Sequence, residues 1–535
     1  MISPAEIPAR LRNAARRFNP FPDPSRPLFR PAPVELVVWL LFAAITLLMV
    51  FCHEPWRDEA QGYLIVRDNT LPGLVLHMKY ESQFLLWFLF TWPFVRLLGM
   101  PIFGVNLLHW AVSCCTAYLI LHRAPFRLLT RTALIFTVLF SFEFTVVARH
   151  YALGIFLLTV LMTNWRERFR HPVLFACGIA LCASTNLPVW ACLGGLCTTI
   201  LYEVIGRRLW TRPVIIAMTV ALFGFPLALA EIFNGHGFGS PYVSYRGNQM
   251  AGFEVGKRVQ NVFDSLSNLM HLPVWLCVVC FLLGALYFAW KSSPAFVCYL
   301  TNTVLMVSLQ LIGGFHSMRH TGFILIGVVM SCWIAAQDEA APAGFLSRLP
   351  KRAGGCVSVA AGCAAALLLF PQMVLTPCFA WMEVRYPFSH GHAAARFILD
   401  NVPAEVPMYC FTARSNVSIL PWLPGRSCYI FDRGETGTYS LWGRERGLSM
   451  RDMAEEIAAR LKPDQRYALF LVAMNEDPNI FPANMILLYD SRRNERPVWG
   501  PYTEEFLVFA VVRDEDKDQY RSAVPRNRHM PSHGT

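Results

Sequence analysis

Residues 34–52 read VELVVWLLFAAITLLMVFC and pass directly into residues 53–60, HEPWRDEA. The first piece carries a single charged residue, Glu35, and as a helix rising about 1.5 Å per residue it covers the hydrocarbon core of a bilayer. The second piece turns polar at once. Pro55 ends a helix there, leaving the acidic pair Asp58-Glu59 where a span emerges into water. No small-residue cleavage site precedes the polar stretch, so the apolar run reads as a retained span and not as a cleaved leader. Upstream, Arg10, Arg12, Arg16, Arg17, Arg26 and Arg30 stand against only Glu6 and Asp23. The positive-inside rule therefore puts residues 1–33 in the cytoplasm and the loop beginning at His53 outside.

The same rule resolves the next ambiguity. The basic clusters Arg123, Arg127, Arg131; Arg166, Arg168, Arg170; Arg207, Arg208, Arg212; and Arg348, Lys351, Arg352 should all face the cytoplasm. If Phe84–Leu98 and Ile102–Leu121 both crossed, the first cluster and those after it would be inverted. Phe84–Leu98 is short and interrupted by Pro93 and Arg96, so it is expected to lie along the outer surface within a first outer loop, 53–101. The expected spans are 34–52, 102–121, 132–148, 151–163, 172–186, 187–205, 213–231, 272–290, 295–313, 321–336 and 355–377, about eleven crossings that leave the C-terminus outside. Two of them, 151–163 and 172–186, are short and must tilt or borrow flanking residues.

This reading also accounts for composition. The formal charge of +11 lies in short clusters between spans, which orientation explains, and nucleic acid is not implied as a partner. Most of the 16 cysteines lie inside apolar spans, where a thiol behaves as a small hydrophobe, and the Cys277/Cys280 pair is a weak metal or redox signal. Cys410 and Cys428 sit in the polar C-terminal region and can pair if that region faces an oxidising compartment. From Trp381 onward short alternating runs replace the long apolar ones. Met408–Phe411, Tyr429–Phe431, Tyr467–Val472, Met485–Tyr489 and Phe506–Val512 predict strands, and Ala393–Leu399 and Met450–Leu461 predict amphipathic helices. The expected fold class is a polytopic α-helical membrane protein, its transmembrane domain at 34–380, with a small outer α/β domain at 381–514 and a disordered tail at 515–535.

Chemistry concentrates at the outer ends of spans. The first loop holds His53, Glu54, Arg57, Asp58 and Glu59, then Lys79, Glu81 and Ser82. The third span ends at Arg149-His150-Tyr151, and the tenth is preceded by Arg319-His320. These arginines lie on the face that the positive-inside rule disfavours, and an anion there would account for them. A guanidinium suits phosphate because its fork binds two oxygens at once. Carboxylates beside arginines at a membrane surface fit a lipid-linked phosphosugar and an acceptor: one carboxylate takes the acceptor hydroxyl proton, and the cations stabilise charge on the departing phosphate. No Gly-rich nucleotide loop follows a strand and no HExxH occurs, which disfavours a soluble nucleotide donor and a zinc protease. His53, Glu54, Asp58 and Glu59 are metal-ligand residue types, but their spacing fits no specific site, so no metal is favoured. The outer loop 232–271, with Tyr242, Tyr245, Arg246, Lys257 and Arg258, reads either as a lid or as a plain connector.

These motifs together resemble the GT-C glycosyltransferases. Trp56-Arg57-Asp58-Glu59-Ala60 after the first span, the Glu81 segment, Ala148-Arg149-His150-Tyr151 after the third and Arg319-His320-Thr321-Gly322 before the tenth are similar to the branch containing protein O-mannosyltransferases and the lipid A aminoarabinose transferase. The resemblance covers roughly residues 34–380. It implies a GT-C bundle, a polyprenyl-phosphate sugar donor, optional dependence on a divalent metal, and an inverting transfer with Asp58 as general base and Glu59 as the second acid. Arg57, Lys79, Glu81, Arg149, His150, Tyr151, Arg319 and His320 are then the candidate substrate-binding residues. The chain departs from the family in two places. Val147 stands where a Glu-Ala-Arg-x-Tyr pattern has Glu, with Glu143 one turn earlier as the available substitute, and Ser82 stands where the aminoarabinose transferase has Lys.

The implied partners are the donor lipid, membrane lipid and an envelope glycan, lipid or protein acceptor, at a bacterial inner membrane with the C-terminal domain in the periplasm. A flippase for lipid-linked sugars and an O-antigen ligase or polymerase remain as alternatives. Against the first stands the absence of an inverted repeat and of acids deep within the spans. The second leaves the acidic pair without a task.

Overall fold

The structure, a computed structural model, describes residues 31–81, 83–233, 255–337, 344–347, 350–410, 417–431, 433–441, 448–473, 481–494, 497–500 and 504–523. The N-terminal arginines, Ser82, Tyr242, Tyr245, Arg246, Arg348 and Asp432 fall outside them.

Eight of the described helices are long and apolar enough to cross a membrane. They are α1 (Pro33–Cys52), α5 (Ile102–Arg123), α9 (Leu187–Arg207), α10 (Arg212–Phe233), α12 (Val274–Lys291), α13 (Ser293–Gly313), α14 (Met318–Gln337) and α15 (Lys351–Arg385). The chain is thus a multi-pass membrane protein. Between these lie α2 (Arg57–Asp68), α3 (Leu71–His77), α4 (Leu85–Trp92), α6 (Leu128–Ile135), α7 (Tyr151–Thr163), α8 (Pro172–Ala183) and α11 (Val255–Met270). The two spans expected to be short are the short helices α7 and α8. Small residues let the long helices approach closely: a Cβ on Gly195 of α9 would stand 2.9 Å from the Cys298 carbonyl oxygen of α13.

The expected third span, 132–148, is not one helix. It consists of α6, a π-helical turn at Leu139–Glu143 and a run of turns up to α7. Irregular backbone survives within a membrane protein only where other groups satisfy it. Here α15 and α5 do so. Thr376 donates to the Phe136 carbonyl (2.6 Å), the Gln372 oxygen accepts from the Leu139 amide (3.3 Å), Ser113 donates to the Phe144 carbonyl (2.7 Å), and His109 Nδ1 lies 3.2 Å from the Thr145 carbonyl. Arg131 is also more than a topological charge. It is fully buried and bonds Glu35 of α1 at 2.9 Å, with His122 of α5 3.3 Å from the same carboxylate.

Phe84–Leu98 forms α4 and a π-helical turn at Pro93–Leu97, and is hydrogen-bonded to the segment around α2. Trp92 donates from its indole to the Asn69 carbonyl (3.1 Å) and Arg96 to the Arg67 carbonyl (3.2 Å).

The helix α15 runs on to Arg385, past the expected boundary at 380, and is followed by α16 (Gly391–Asn401) and a six-stranded sheet ordered β3-β2-β1-β4-β6-β5. The strands are β1 (Met408–Cys410), β2 (Cys428–Ile430), β3 (Glu435–Gly437), β4 (Ala468–Ala473), β5 (Met485–Asp490) and β6 (Phe506–Val511), with α17 (Met450–Arg460) between β3 and β4. β1 pairs parallel with β2 and β4, and the other pairings are antiparallel. Every residue of β6 is buried, as an interior strand requires, while the short edge strand β3 is polar and exposed enough to escape an alternation search. Cys410 of β1 and Cys428 of β2, offset by two residues in the parallel register, are disulfide-bonded, with Cα atoms 6.0 Å apart. The expected tail at 515–535 begins ordered: Lys517–Ala523 forms α18, and Tyr520 packs on Tyr467 at 6.1 Å. The sheet's apolar core continues into the segment after α1, since Ala60 and Leu64 of α2 pack with Ile398, Leu420 and Ile430.

Candidate active site

The site begins where α1 stops. His53 caps α1 in an extended conformation, Pro55 prevents continuation, and α2 restarts at Arg57 with the Glu59 carboxylate accepting from the Trp56 amide (3.2 Å). Asp58 and Glu59 therefore occupy the first turn of α2, where a helix N-terminus favours negative charge.

The two acids have different surroundings. Asp58 is partly open, with 23% of its side chain exposed, and is held by Arg149 and, at 3.4 Å, by Arg57. Burial pushes its carboxyl up, but Arg149, Arg57 and Arg319 outweigh burial and hold it well below the usual carboxylate range. Glu59 is almost fully enclosed. One of its oxygens accepts from the Ala148 amide (2.6 Å), and the other meets His53 Nε2 (2.8 Å). His53 Nδ1 in turn meets Glu383 near the C-terminal end of α15 (2.7 Å). Burial alone would lower the His53 pKa. The carboxylates on both ring nitrogens override it and raise the value to about 10, so both nitrogens carry protons and donate. The chain Glu383–His53–Glu59–Ala148 thus ties α15 and α1 to the residue before Arg149.

The broken third segment delivers the cations. Arg149 bonds Asp58 through Nη1, and its Nε–H has no partner among the described residues. Arg319, at the start of α14, lies 3.4 Å from Glu143 and 5.0 Å above the Trp56 ring. Glu143 therefore stands beside the site's arginines although Val147 is packed into an apolar cluster with Met49 and Phe388. His150 is buried, and burial together with Arg149, His320 and Arg319 keeps its pKa well below the ordinary imidazole value. Tyr151 hydroxyl lies 2.6 Å from His320 Nε2, and His320 Nδ1 lies 2.7 Å from the Ser317 hydroxyl.

Asp58, Glu59, Arg149 and Ala148 line one cleft with Tyr63, Gln83, Trp87 and Asn106. Asn106 of α5 is 1% exposed, and neither its amide nitrogen nor its oxygen has a partner among the described residues. An unpaired buried carboxamide costs about 1–3 kcal/mol, which a polar ligand in the cleft would recover.

Lys79 and Glu81 are not among the residues lining this cleft. Lys79 stands over the Tyr80 ring at 5.3 Å. Glu81 accepts from Gln61 (2.8 Å) and lies 3.3 Å from His77, while Gln61 exchanges two hydrogen bonds with the Ser440 backbone. Glu81 thus joins the segment between α1 and α5 to the C-terminal domain. Glu504 makes the same junction from the other side: it accepts from the Arg57 amide (2.8 Å) and from the Ser389 (2.8 Å) and Ser418 (2.7 Å) hydroxyls. Burial raises its carboxyl to about 7 despite those donors. Of the metal-ligand types, His53 has both nitrogens engaged as donors and cannot offer a lone pair, and Glu54 stands at about 7, raised chiefly by burial. Among the described residues no group of three or more His, Cys, Asp or Glu is placed to hold a metal ion. Lys257 and Arg258 lie on α11, where Arg258 donates to the Leu311 carbonyl (3.2 Å).

Asn106, Glu383 and Glu504 belong to no motif legible in the sequence. Asn106 carried one usable signal, a polar side chain within an apolar span. No protein-family model and no curated protein matches the chain. Among solved structures, ArnT from Cupriavidus metallidurans in the apo state is similar, with a TM-score of 0.49, 12% identity, and coverage of 88% of this chain and 97% of that one. ArnT from the same organism bound to undecaprenyl phosphate is similar with a TM-score of 0.44, 12% identity, and coverage of 89% of this chain and 96% of that one.

Proposed function

We propose that the chain is a GT-C-type glycosyltransferase that moves a sugar from a polyprenyl-phosphate donor to an envelope glycan, lipid or protein, at the periplasmic face of a bacterial inner membrane. The observation that carries this reading is the Asp58 carboxylate just beyond the C-terminal end of the first membrane-length helix, clamped by Arg149 and flanked by Arg57 and Arg319. A donor with its tail in lipid and its phosphate in water meets both groups at that level.

The clamp poses a chemical problem whose answer sharpens the mechanism. A carboxylate held far below its ordinary pKa is a weak base. Donor phosphate competes with Asp58 for Arg149, whose Nη1 holds Asp58 and whose unpartnered Nε–H lies on the edge it shares with Nη2, the side-on fork for two oxygens. As Arg149 turns to phosphate, Asp58 loses its strongest cation and its pKa climbs toward the range of a working base. Asp58 then takes the acceptor hydroxyl proton, the hydroxyl attacks the anomeric carbon from the face opposite the phosphate, and the configuration inverts. Arg149 and Arg319 hold the departing phosphate. Glu59 stays out of the reaction and fixes the Ala148-Arg149 backbone. Tyr63, Trp87 and Asn106 line the cleft beside Asp58, so two aromatic side chains and one carboxamide border the place proposed for the sugar. The C-terminal domain, joined to the first outer loop through Glu81 and Glu504, contributes to the acceptor side.

The test uses the full-length protein in proteoliposomes with monophosphate- and diphosphate-linked donors supplied in parallel, together with an envelope extract as acceptor. Formation of a new glycosidic bond from the monophosphate donor alone supports the reading. Consumption of the diphosphate donor alone would make it a ligase, and movement of intact lipid with no bond formed would make it a transporter.

A further inference from the structure

A second site lies away from Asp58, at the opposite end of the helices. Between α8, α9 and α10 runs a groove of about 620 Å³ whose lining is overwhelmingly apolar. Along α10 it extends from Val214 to Phe225, which at 1.5 Å per residue is about 16 Å. That is close to half of the roughly 30 Å hydrocarbon core, the depth of a single leaflet. Leu222 and Phe223, beside the groove, are about 70% exposed, so this part of α10 is left facing lipid.

The mouth differs sharply from the shaft. Arg168 lines it, with a forked bond to Glu203 (3.0 and 2.7 Å), and Arg207 reaches the same carboxylate at 3.1 Å. Trp210 lies at the rim, 53% exposed, in the position that an indole takes at a membrane–water interface. Arg208 and Arg212 flank it, both exposed and in no ion pair among the described residues. The rim is therefore cationic beyond what Glu203 neutralises, and the shaft is one acyl chain deep.

We propose that this groove binds an anionic phospholipid, with one acyl chain lying between α8 and α10 and the phosphate seated on the Arg208 and Arg212 rim. The site is independent of the transferase reading: it needs no donor and no turnover. A basic rim without a groove would attract anionic headgroups without selecting chains, and a groove without the rim would take any lipid.

Native mass spectrometry of the full-length protein, released from micelles carrying equal amounts of phosphatidylglycerol and phosphatidylcholine with the same chains, tests both halves. Wild type should retain phosphatidylglycerol preferentially, as one bound molecule. Reversing both exposed charges, Arg208→Glu with Arg212→Glu, should weaken that retention about thirty-fold or more and remove the preference. Filling the shaft with Ala221→Trp should reduce retention of both lipids, while circular dichroism and the thermal transition report whether each variant is folded. Equal retention of the two lipids by wild type, or unchanged preference in the folded charge-reversal variant, would overturn the headgroup assignment. Unchanged retention in folded Ala221→Trp would overturn the chain assignment.

Discussion

Replacing His53 with Ala removes the one cation between Glu59 and Glu383. Both carboxylates then stay where they are, with side chains 1% and 0% exposed, and each loses a charge-assisted bond of 2.8 or 2.7 Å. Removing one partner from a buried ion pair costs about 3–5 kcal/mol, because the penalty is the stranded charge and not merely the lost bond. The sign of the pH dependence follows from the raised pKa. The folded protein holds the His53 proton up to about pH 10, against an ordinary value of 6.5. This stabilisation is complete below pH 6.5, declines as pH rises, and is gone once the folded value is passed. Reversible unfolding in mixed micelles at several pH values measures it. His53→Ala should be less stable than wild type by about 3–5 kcal/mol at pH 7, and the two should converge toward pH 10. Glu59 would also hold the Ala148 amide less firmly, so Arg149 should drift from Asp58 and transfer should fall. A variant within about 1 kcal/mol of wild type at pH 7, with the same slope between pH 7 and 10, would refute the argument that His53 is a buried imidazolium.

Asn106→Leu keeps the branched shape of the side chain, with somewhat larger end groups, while deleting a carboxamide that has no partner among the described residues. It should leave stability unchanged or raise it by about 1–3 kcal/mol while lowering transfer about tenfold, as measured by unfolding and donor turnover side by side. Glu504, with its pKa raised from 4.5 to about 7, makes the folded state lose stability as pH climbs from 4.5 through 7. Glu504→Gln should abolish that slope in pH-dependent unfolding, whereas Glu504→Ala should cost about 1–3 kcal/mol by stranding the Arg57 amide and two serine hydroxyls.

Much of the architecture is legible because hydropathy and alternation are local properties. The run at 34–52, the strands near 408, 429, 468, 485 and 506, and the juxtaposition of Asp58 with Arg149 and Arg319 all follow from segment composition and charge placement. The break after α6 is not legible, because 132–148 has the apolar content of a span. The open backbone groups of its turns are met by Gln372 and Thr376, some 230 residues away, and by Ser113 and His109 of α5. The partner of His53 is hidden in the same way, 330 residues along the chain at Glu383. With that pairing unseen, His53 shows only the residue type of a metal ligand, and Glu59 reads as the second acid of the pair. Glu81 and Lys79 sit in the right loop, yet α3 and the turn after it direct Glu81 toward Gln61 and His77 instead of Asp58.

The central claim is that Asp58 is the base of a sugar transfer from a polyprenyl-phosphate donor. Asp58→Asn keeps the side chain's size and removes both its charge and its basicity. In full-length protein reconstituted with the donor, the account predicts that transfer falls by about 10²–10⁴, while polyprenyl-phosphate binding is retained or tightened because Arg149 is released from its clamp. Transfer at the wild-type rate in Asp58→Asn, with binding intact, would contradict it.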